Sequence, residues 1–209
     1  HISESRLSMY KKQMKFQKII CYVVLIASAL AFFYSLGLLT DLYDSLYSMM
    51  PDPADPALDR VTGARIFYDM QDFNKLFTKV TIVLILLGVF NLVMNTHTRR
   101  RYYIGNYVSI ALSTAGSIAA SIWAYGKIMA YNAQYLSGPE NGGVDFAKLK
   151  TVAERRGTFY TESTFWFDAA NFVFGFVILA AVLLAANLIW KIIVTKKEKA
   201  LIKAGKEAA

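Results

Sequence analysis

Four long stretches without a charged residue dominate this sequence. They contain 22, 19, 25 and 22 residues, together 88 of the 209 in the chain. A helix rises about 1.5 Å per residue, so about 20 residues cross a hydrocarbon core of roughly 30 Å. The buried helices of a soluble domain do not need so many, and we therefore predict an all-α integral membrane bundle of four transmembrane helices. The stretches lie between Lys18 and Asp41, Lys79 and Arg99, Arg101 and Lys127, and Asp168 and Lys191.

The same pattern divides the chain into a transmembrane domain with polar flanks. Residues 1–18 place Tyr10 and Met14 at helical spacing among lysines, which predicts an amphipathic lead-in lying on the cytoplasmic headgroups. Residues 19–194 form the transmembrane domain, and residues 195–209 form a basic cytoplasmic tail. We predict spans at about 19–40, 79–96, 102–130 and 166–190, and long outer loops at about 41–78 and 131–165.

Basic residues are distributed unevenly between the two sides of this arrangement. The first 18 residues, the Arg99–Arg101 triplet and the tail from Lys191 hold 14 basic and 3 acidic residues. The two long connections hold 9 basic and 12 acidic residues. Because cytoplasmic segments carry the excess of Lys and Arg, both termini and the triplet are predicted to be cytoplasmic and both long loops to lie outside.

The positive charge of the chain indicates a contact with lipid rather than with nucleic acid. A pI of 9.5 and a net charge of +8 would suggest a nucleic-acid partner in a soluble protein. Here the membrane topology accounts for the excess, so we expect no nucleic-acid partner. Arg99, Arg100 and Arg101 instead predict a contact with anionic lipid headgroups on the cytoplasmic side. The expected partners are the lipid bilayer and either a membrane protein or a second copy of the chain.

The chain has one cysteine, Cys21, inside the first predicted span. Loops of about 40 residues without a disulfide differ from those of most animal four-span surface proteins, whose loops are cross-linked. We therefore expect a multi-pass protein of the cell membrane and favour a bacterial inner membrane. Cys21 itself is expected to be a packing residue.

Both long loops contain helix signals. Ile66, Met70, Phe73 and Phe77 recur at spacings of four, three and four residues, which predicts a helix that begins before the second span. In the second loop, Phe146, Leu149 and Val152 mark the apolar side of a short helix, with Asp145 suited to its N-cap and Gly157 to its C′ position. The apolar faces of two short amphipathic segments are buried most readily against each other. The loops are thus predicted to pack together as a cap, through contacts of residues 64–78, including Phe67, with residues 144–157.

The third span carries a row of polar residues, which we call the serine row. Its members follow one another every four residues, and Gly116, Ala120 and Ala124 form a neighbouring row of small residues. Such rows are typical of closely packed membrane helices, whose serines hydrogen-bond across the contact. The alternative is a polar lining for a solute path. The serine row consists of Ser113, Ser117, Ser121 and Tyr125.

Two asparagines lie in apolar surroundings towards the inner halves of the second and fourth spans. An amide in hydrocarbon needs a hydrogen-bond partner. Asn91 and Asn187 are therefore expected either to fix the register of neighbouring helices or to share a polar site between two spans.

No pattern in the sequence points to catalysis. No histidine lies in a predicted span, no second cysteine accompanies Cys21, and His97 is the only internal histidine. We therefore expect no catalytic residue, no metal site and no cofactor. The resulting hypothesis is a small, non-enzymatic four-span membrane protein that acts as a structural, accessory or partner-binding subunit. The alternative is an oligomeric channel or transporter for a small solute that uses the serine row.

Overall fold

A computed structural model describes residues 2–42, 61–63, 65–96, 103–157 and 162–209, with side chains described except at 2–8, 41, 42, 67 and 156. Within these ranges the protein is helical and contains no strand. The triplet Arg99–Arg101 lies outside the described residues, as does the side chain of Phe67. The helices are α1 (Ile2–Gly37, followed by a π-helical segment, Leu38–Leu42), α2 (Ile66–Asp69), α3 (Gln71–Asn95), α4 (Ile104–Leu136), α5 (Phe146–Arg156) and α6 (Phe165–Glu207).

Four of these helices are long and apolar enough to cross a membrane, namely α1, α3, α4 and α6. Each exposes large apolar side chains to its surroundings. Phe33 is 66% exposed, Leu86 63%, Ile122 68% and Phe172 71%. A water-soluble surface rarely leaves so many large apolar groups uncovered, whereas hydrocarbon covers them without cost. The predicted all-α architecture with four helices of spanning length is thereby confirmed.

The chain divides into two compact units, and each long helix contributes to both of them. We call the first the terminal unit, because it contains both ends of the chain. We call the second the loop unit, because it contains the two long connections. The terminal unit consists of His1–Ala29, Val83–Ala119 and Phe176–Ala209, and the loop unit consists of Leu30–Ile82 and Ala120–Gly175.

In the terminal unit, α3 and α4 pack as antiparallel neighbours, as the short turn between them predicts. Asn95 contacts Ser109 near the turn, and one to two turns further on Ser113 contacts the carbonyl oxygen of Leu87. The backbone of Gly88 lies close to α1, where a Cβ at this position would be 3.3 Å from Leu25 Cδ1. Small residues thus allow the close approach that dispersion forces between membrane helices require.

The N-terminal lead-in is continuous with the first span. α1 runs without a break from Ile2 to Gly37. Tyr10 and Met14 are each 8% exposed and lie in the core of the terminal unit. Lysine has a helix propensity similar to that of most residues. Nothing in the local sequence therefore ends the helix at Lys18. At the other end of the chain, α6 likewise continues past the predicted end of the fourth span, to Glu207.

The loop unit has an aromatic core. The ring of Phe77, which is 1% exposed, lies 6.2 Å from Tyr34, 5.9 Å from Phe73 and 5.7 Å from Phe174. These rings come from α1, α3 and α6. Aromatic pairs at 4.5–7 Å attract each other beyond the effect of area burial. The segments of the long helices in this unit are therefore held together mainly by rings.

The two long connections meet within the loop unit. The backbone amide of Asp145 donates to the carbonyl oxygen of Thr62 at 3.0 Å. Gly63 has a φ of 74°, and a Cβ there would lie 2.5 Å from the carbonyl of Gly143. Only glycine satisfies both this backbone angle and this close approach. The observed hydrogen bond lies at Thr62, two residues before the predicted contact segment that begins at residue 64.

The short helix α5 begins and ends as its sequence predicts. Asp145 is its N-cap, and the carboxylate accepts a hydrogen bond from the amide of Lys148 at 3.2 Å. Gly157 ends the helix in a left-handed conformation, with a φ of 67°. The predicted apolar positions Leu149 and Val152 are buried. Each of these interactions is local, which is why sequence alone identifies them.

Candidate functional site in the terminal unit

The terminal unit encloses a group of hydrogen-bonded polar side chains, which we call the polar core. All its members are at most 2% exposed, and they come from all four long helices. Polar side chains that face the interior of a membrane bundle mark the positions at which such bundles carry sites or fix their register. The polar core consists of Gln13, Gln17, Asn91, Asn95, Ser109, Asn187 and Lys191.

Gln17 occupies the centre of this network. Its amide oxygen accepts hydrogen bonds from Gln13 Nε2 at 2.9 Å, from Asn187 Nδ2 at 3.3 Å and from Lys191 Nζ at 3.5 Å. Its amide nitrogen donates to the backbone oxygen of Asn95 at 2.9 Å. Gln13 and Gln17 are four residues apart on α1, as Asn187 and Lys191 are on α6, so each pair lies on one helix face. The two faces meet and form the network.

A second part of the polar core connects α1, α3 and α4. Asn91 Nδ2 donates to the thiol sulfur of Cys21 at 3.4 Å. Asn95 Nδ2 donates to Ser109 Oγ at 2.8 Å and to Asn91 Oδ1 at 3.0 Å. Asn95 Oδ1 is buried without a hydrogen-bond partner among the described atoms. Asn91 and Asn187, both expected from the sequence, thus belong to one network.

Lys191 is the charged member of the polar core and is 2% exposed. Its ammonium group lies 5.4 Å from the centre of the Tyr107 ring and 3.5 Å from Gln17 Oε1. The Tyr107 hydroxyl is in turn 3.3 Å from Thr195 Oγ1, one turn beyond Lys191 on α6. Within the described part of the chain, no carboxylate is recorded in an ion pair with this ammonium group. A buried charge without a counter-charge is costly, which makes Lys191 the most informative residue of the site.

The serine row is divided between the two units. In the terminal unit, Ser113 Oγ donates to the Leu87 carbonyl at 3.1 Å, and Ser117 is 4% exposed. In the loop unit, Ser121 Oγ is buried without a hydrogen-bond partner among the described atoms. Tyr125, at 37% exposure, donates its hydroxyl to Asn171 Oδ1 at 2.6 Å. The row therefore has four different environments rather than one.

Close packing also surrounds the neighbouring small residues in the terminal unit. A Cβ on Gly116 would lie 3.1 Å from Leu87 Cδ1 and 3.9 Å from Leu84 Cδ2. Together with the bond from Ser113, this contact places α3 directly against the row at this level. These distances are those of helix packing.

The sequence did not predict four of these site residues, namely Gln13, Gln17, Asn95 and Lys191. A signal for them exists in the sequence, since polar residues occur in pairs four residues apart at the ends of three spans. The pairs Gln13 and Gln17, Asn91 and Asn95, and Asn187 and Lys191 each place two polar groups on one helix face. The expectation from the sequence covered only Asn91 and Asn187, each one member of a pair, because it did not use the four-residue spacing of polar residues.

The remaining chemistry of the described residues is limited. No group of three or more His, Cys, Asp or Glu side chains among them has an arrangement that would hold a metal ion. The loop unit has an open cavity of about 240 Å³. Its walls are formed by Val61, Thr62, Gly63, Arg65, Ile66, Asp69 and Gln134.

Comparison with protein-family models, with curated proteins and with solved structures finds no match for this chain.

Proposed function

We propose that this chain is a non-enzymatic four-span membrane protein that serves as a structural, accessory or partner-binding subunit. The observation that carries the proposal is the direct contact of α3 with Ser113 of the serine row and with the neighbouring small residue Gly116 in the terminal unit. Side chains that line a solute path face a cavity, whereas Ser113 faces a neighbouring helix. The alternative, an oligomeric channel or transporter using the serine row, has less support for this reason.

The proposal includes a location and an orientation. The protein lies in a cell membrane, with the bacterial inner membrane favoured, and both termini and Arg99–Arg101 are cytoplasmic. The terminal unit would then present its lysines to anionic headgroups, each contributing about 1 kcal/mol of attraction near the surface. These lysines are exposed on α1 and α6, at Lys11, Lys12, Lys15, Lys18, Lys196, Lys197 and Lys199.

The orientation is tested by labelling single cysteines in a Cys21→Ala background. We expect an impermeant maleimide added to intact cells to modify Glu140→Cys and to spare Ala200→Cys, both of which are exposed positions. Permeabilised cells provide the control, because both positions should then react. Labelling of Ala200→Cys alone in intact cells would reject the orientation.

The choice between subunit and channel is tested at Ser117. If the serine row is a packing surface, Ser117→Leu should lower the free energy of unfolding by about 1–3 kcal/mol, as overpacking does elsewhere. Ser117→Ala should change it by less than about 0.6 kcal/mol. Liposomes containing either folded variant or the parent should show the solute flux of empty liposomes. A flux in the parent that Ser117→Ala abolishes without unfolding would favour the channel.

A further inference from the structure

The amide oxygen of Gln17 is a crowded acceptor within the polar core. Three donors converge on Gln17 Oε1, although an amide oxygen has two lone pairs. The third and longest of these bonds, at 3.5 Å, is that of Lys191. A 180° flip of the Gln17 side-chain amide would not relieve the crowding at Oε1, because its nitrogen donates to the Asn95 carbonyl oxygen and this bond would be lost. Among the described residues, the ammonium group thus has one shared acceptor and the face of one ring.

The ammonium group faces the ring of Tyr107, and the hydroxyl of this tyrosine pairs with that of Thr195. Tyr107 and Thr195 are half-buried, whereas Lys191 is buried. Lys191 and Thr195 share a face of α6, and Tyr107 contacts both of them. One hydroxyl donates to the other, so one O–H of the pair remains for a ligand. This O–H and the ammonium group match the oxygens of a phosphate group, which accepts several hydrogen bonds at once.

We infer that Lys191, Tyr107 and Thr195 form a binding site for a phosphate oxyanion. The anion supplies a counter-charge and further acceptors to the Lys191 ammonium group, which has no ion pair among the described residues. Trp190, the last residue before Lys191, contacts the ring of Phe16 at 5.5 Å, and aromatic residues at the ends of apolar stretches mark the headgroup level. The phosphate therefore comes either from a phospholipid headgroup or from solution. The inference rests on the proposed membrane location and is independent of the subunit role.

The test uses native mass spectrometry of the full chain in detergent with phosphatidylglycerol. We expect Lys191→Met to weaken lipid binding roughly tenfold or more, because a hydrogen bond to a charged group is lost. Lys196→Met, an exposed lysine on the same helix, is the matched control and should change binding less than about twofold. Equal losses in the two variants would overturn the inference, because a surface charge effect would then explain them.

Two further arms distinguish the source of the phosphate and the depth of the site. Inorganic phosphate that displaces the lipid and binds alone would identify free phosphate as the ligand, whereas phosphatidylcholine that competes would identify the headgroup phosphodiester. Raising salt from about 0.1 M to about 1 M should weaken the Lys191-dependent binding only slightly, since buried charges are screened less than exposed ones. Binding that disappears in salt in parallel with the Lys196 contribution would contradict the inference.

Conservative variants keep the test decisive if Lys191→Met does not fold. Tyr107→Phe and Thr195→Val each remove one hydroxyl and should weaken lipid binding severalfold with the fold retained, as judged by size-exclusion chromatography. Unchanged lipid binding in both variants would reject the site. Cysteine labelling and liposome flux do not depend on this site, so failure of this inference is distinct from failure of the proposed function.

Discussion

The terminal unit and the loop unit are built from the same four long helices, yet their cores differ in chemistry. Of the 16 buried polar or charged side chains among those described, 12 belong to the terminal unit and 4 to the loop unit. Buried aromatic side chains show the reverse, with 1 in the terminal unit and 6 in the loop unit. The core of the terminal unit is thus richer in hydrogen-bonding side chains, and that of the loop unit is richer in rings.

This difference shows how two parts of one membrane helix can serve different purposes. Apolar packing between helices in lipid lacks a hydrophobic driving force, so shape and dispersion must hold the loop unit together. Amide networks add direction, because each donor must meet a specific acceptor. The hydrogen bonds of the terminal unit therefore fix which helix faces which, and this unit also contains Lys191, a buried charge with no ion pair among the described residues.

The comparison predicts that the loop unit is the more sensitive to loss of volume. Phe77→Ala removes a ring that contacts three others and should lower the free energy of unfolding by about 3–5 kcal/mol. Phe172→Ala, at a position that is 71% exposed, is the control and should cost less than about 0.5 kcal/mol. Both are measured by denaturation in mixed micelles. Similar effects of the two substitutions would mean that the ring cluster does not hold the unit together.

Substitution at the contact between the two long connections should lower the free energy of unfolding nearly as much. Gly63→Ala combines an unfavourable backbone angle with a collision against the backbone of Gly143, and we expect a loss of roughly 2–4 kcal/mol. Gly142→Ala has a similar φ of 79° but no atom within 4 Å of the added Cβ, so it should cost only about 1–2 kcal/mol. Thermal unfolding of the purified variants provides the comparison. An equal cost would show that the contact adds nothing beyond the backbone angle.

In the terminal unit, the corresponding test removes the centre of the network. Gln17→Leu keeps the approximate volume but leaves Gln13, Asn187 and Lys191 without their shared acceptor, which should cost about 1–3 kcal/mol. Gln134→Leu, at an exposed position, is the control and should be nearly neutral. A double-mutant cycle of Gln17→Leu with Asn187→Leu measures the coupling. Additive effects would contradict a connected network.

The smallest expected effect concerns a single hydrogen bond between α3 and α4. Ser113→Ala removes the bond to the Leu87 carbonyl and should cost about 0.6 kcal/mol, the average for such bonds in membrane proteins. Ser28→Ala, whose hydroxyl bonds within its own helix to Val24, should cost less. The same micelle denaturation resolves the two. A larger effect at Ser28 than at Ser113 would place the important contact elsewhere.

The local features of this protein follow from its sequence. Charge-free stretches of sufficient length predict the four spanning helices, since length and apolarity are properties of each segment alone. Asp145 and Gly157 identify the ends of α5 for a similar reason, because a cap acts within one turn. The change from lysines to apolar residues at Lys18 marks a change of composition and not a break in α1, which continues through it.

Only the tertiary structure determines which polar side chains contact each other. Gln13 and Asn187 are 174 residues apart, and Gln17 and Asn95 are 78 apart. Helical periodicity states which residues share a face but not which face of another helix they meet, because that depends on the rotation and register of both helices. For the same reason, the sequence marks Lys191 as the residue that ends an apolar stretch, while only the packing of α1, α4 and α6 makes it a buried cation beside Gln17 and Tyr107.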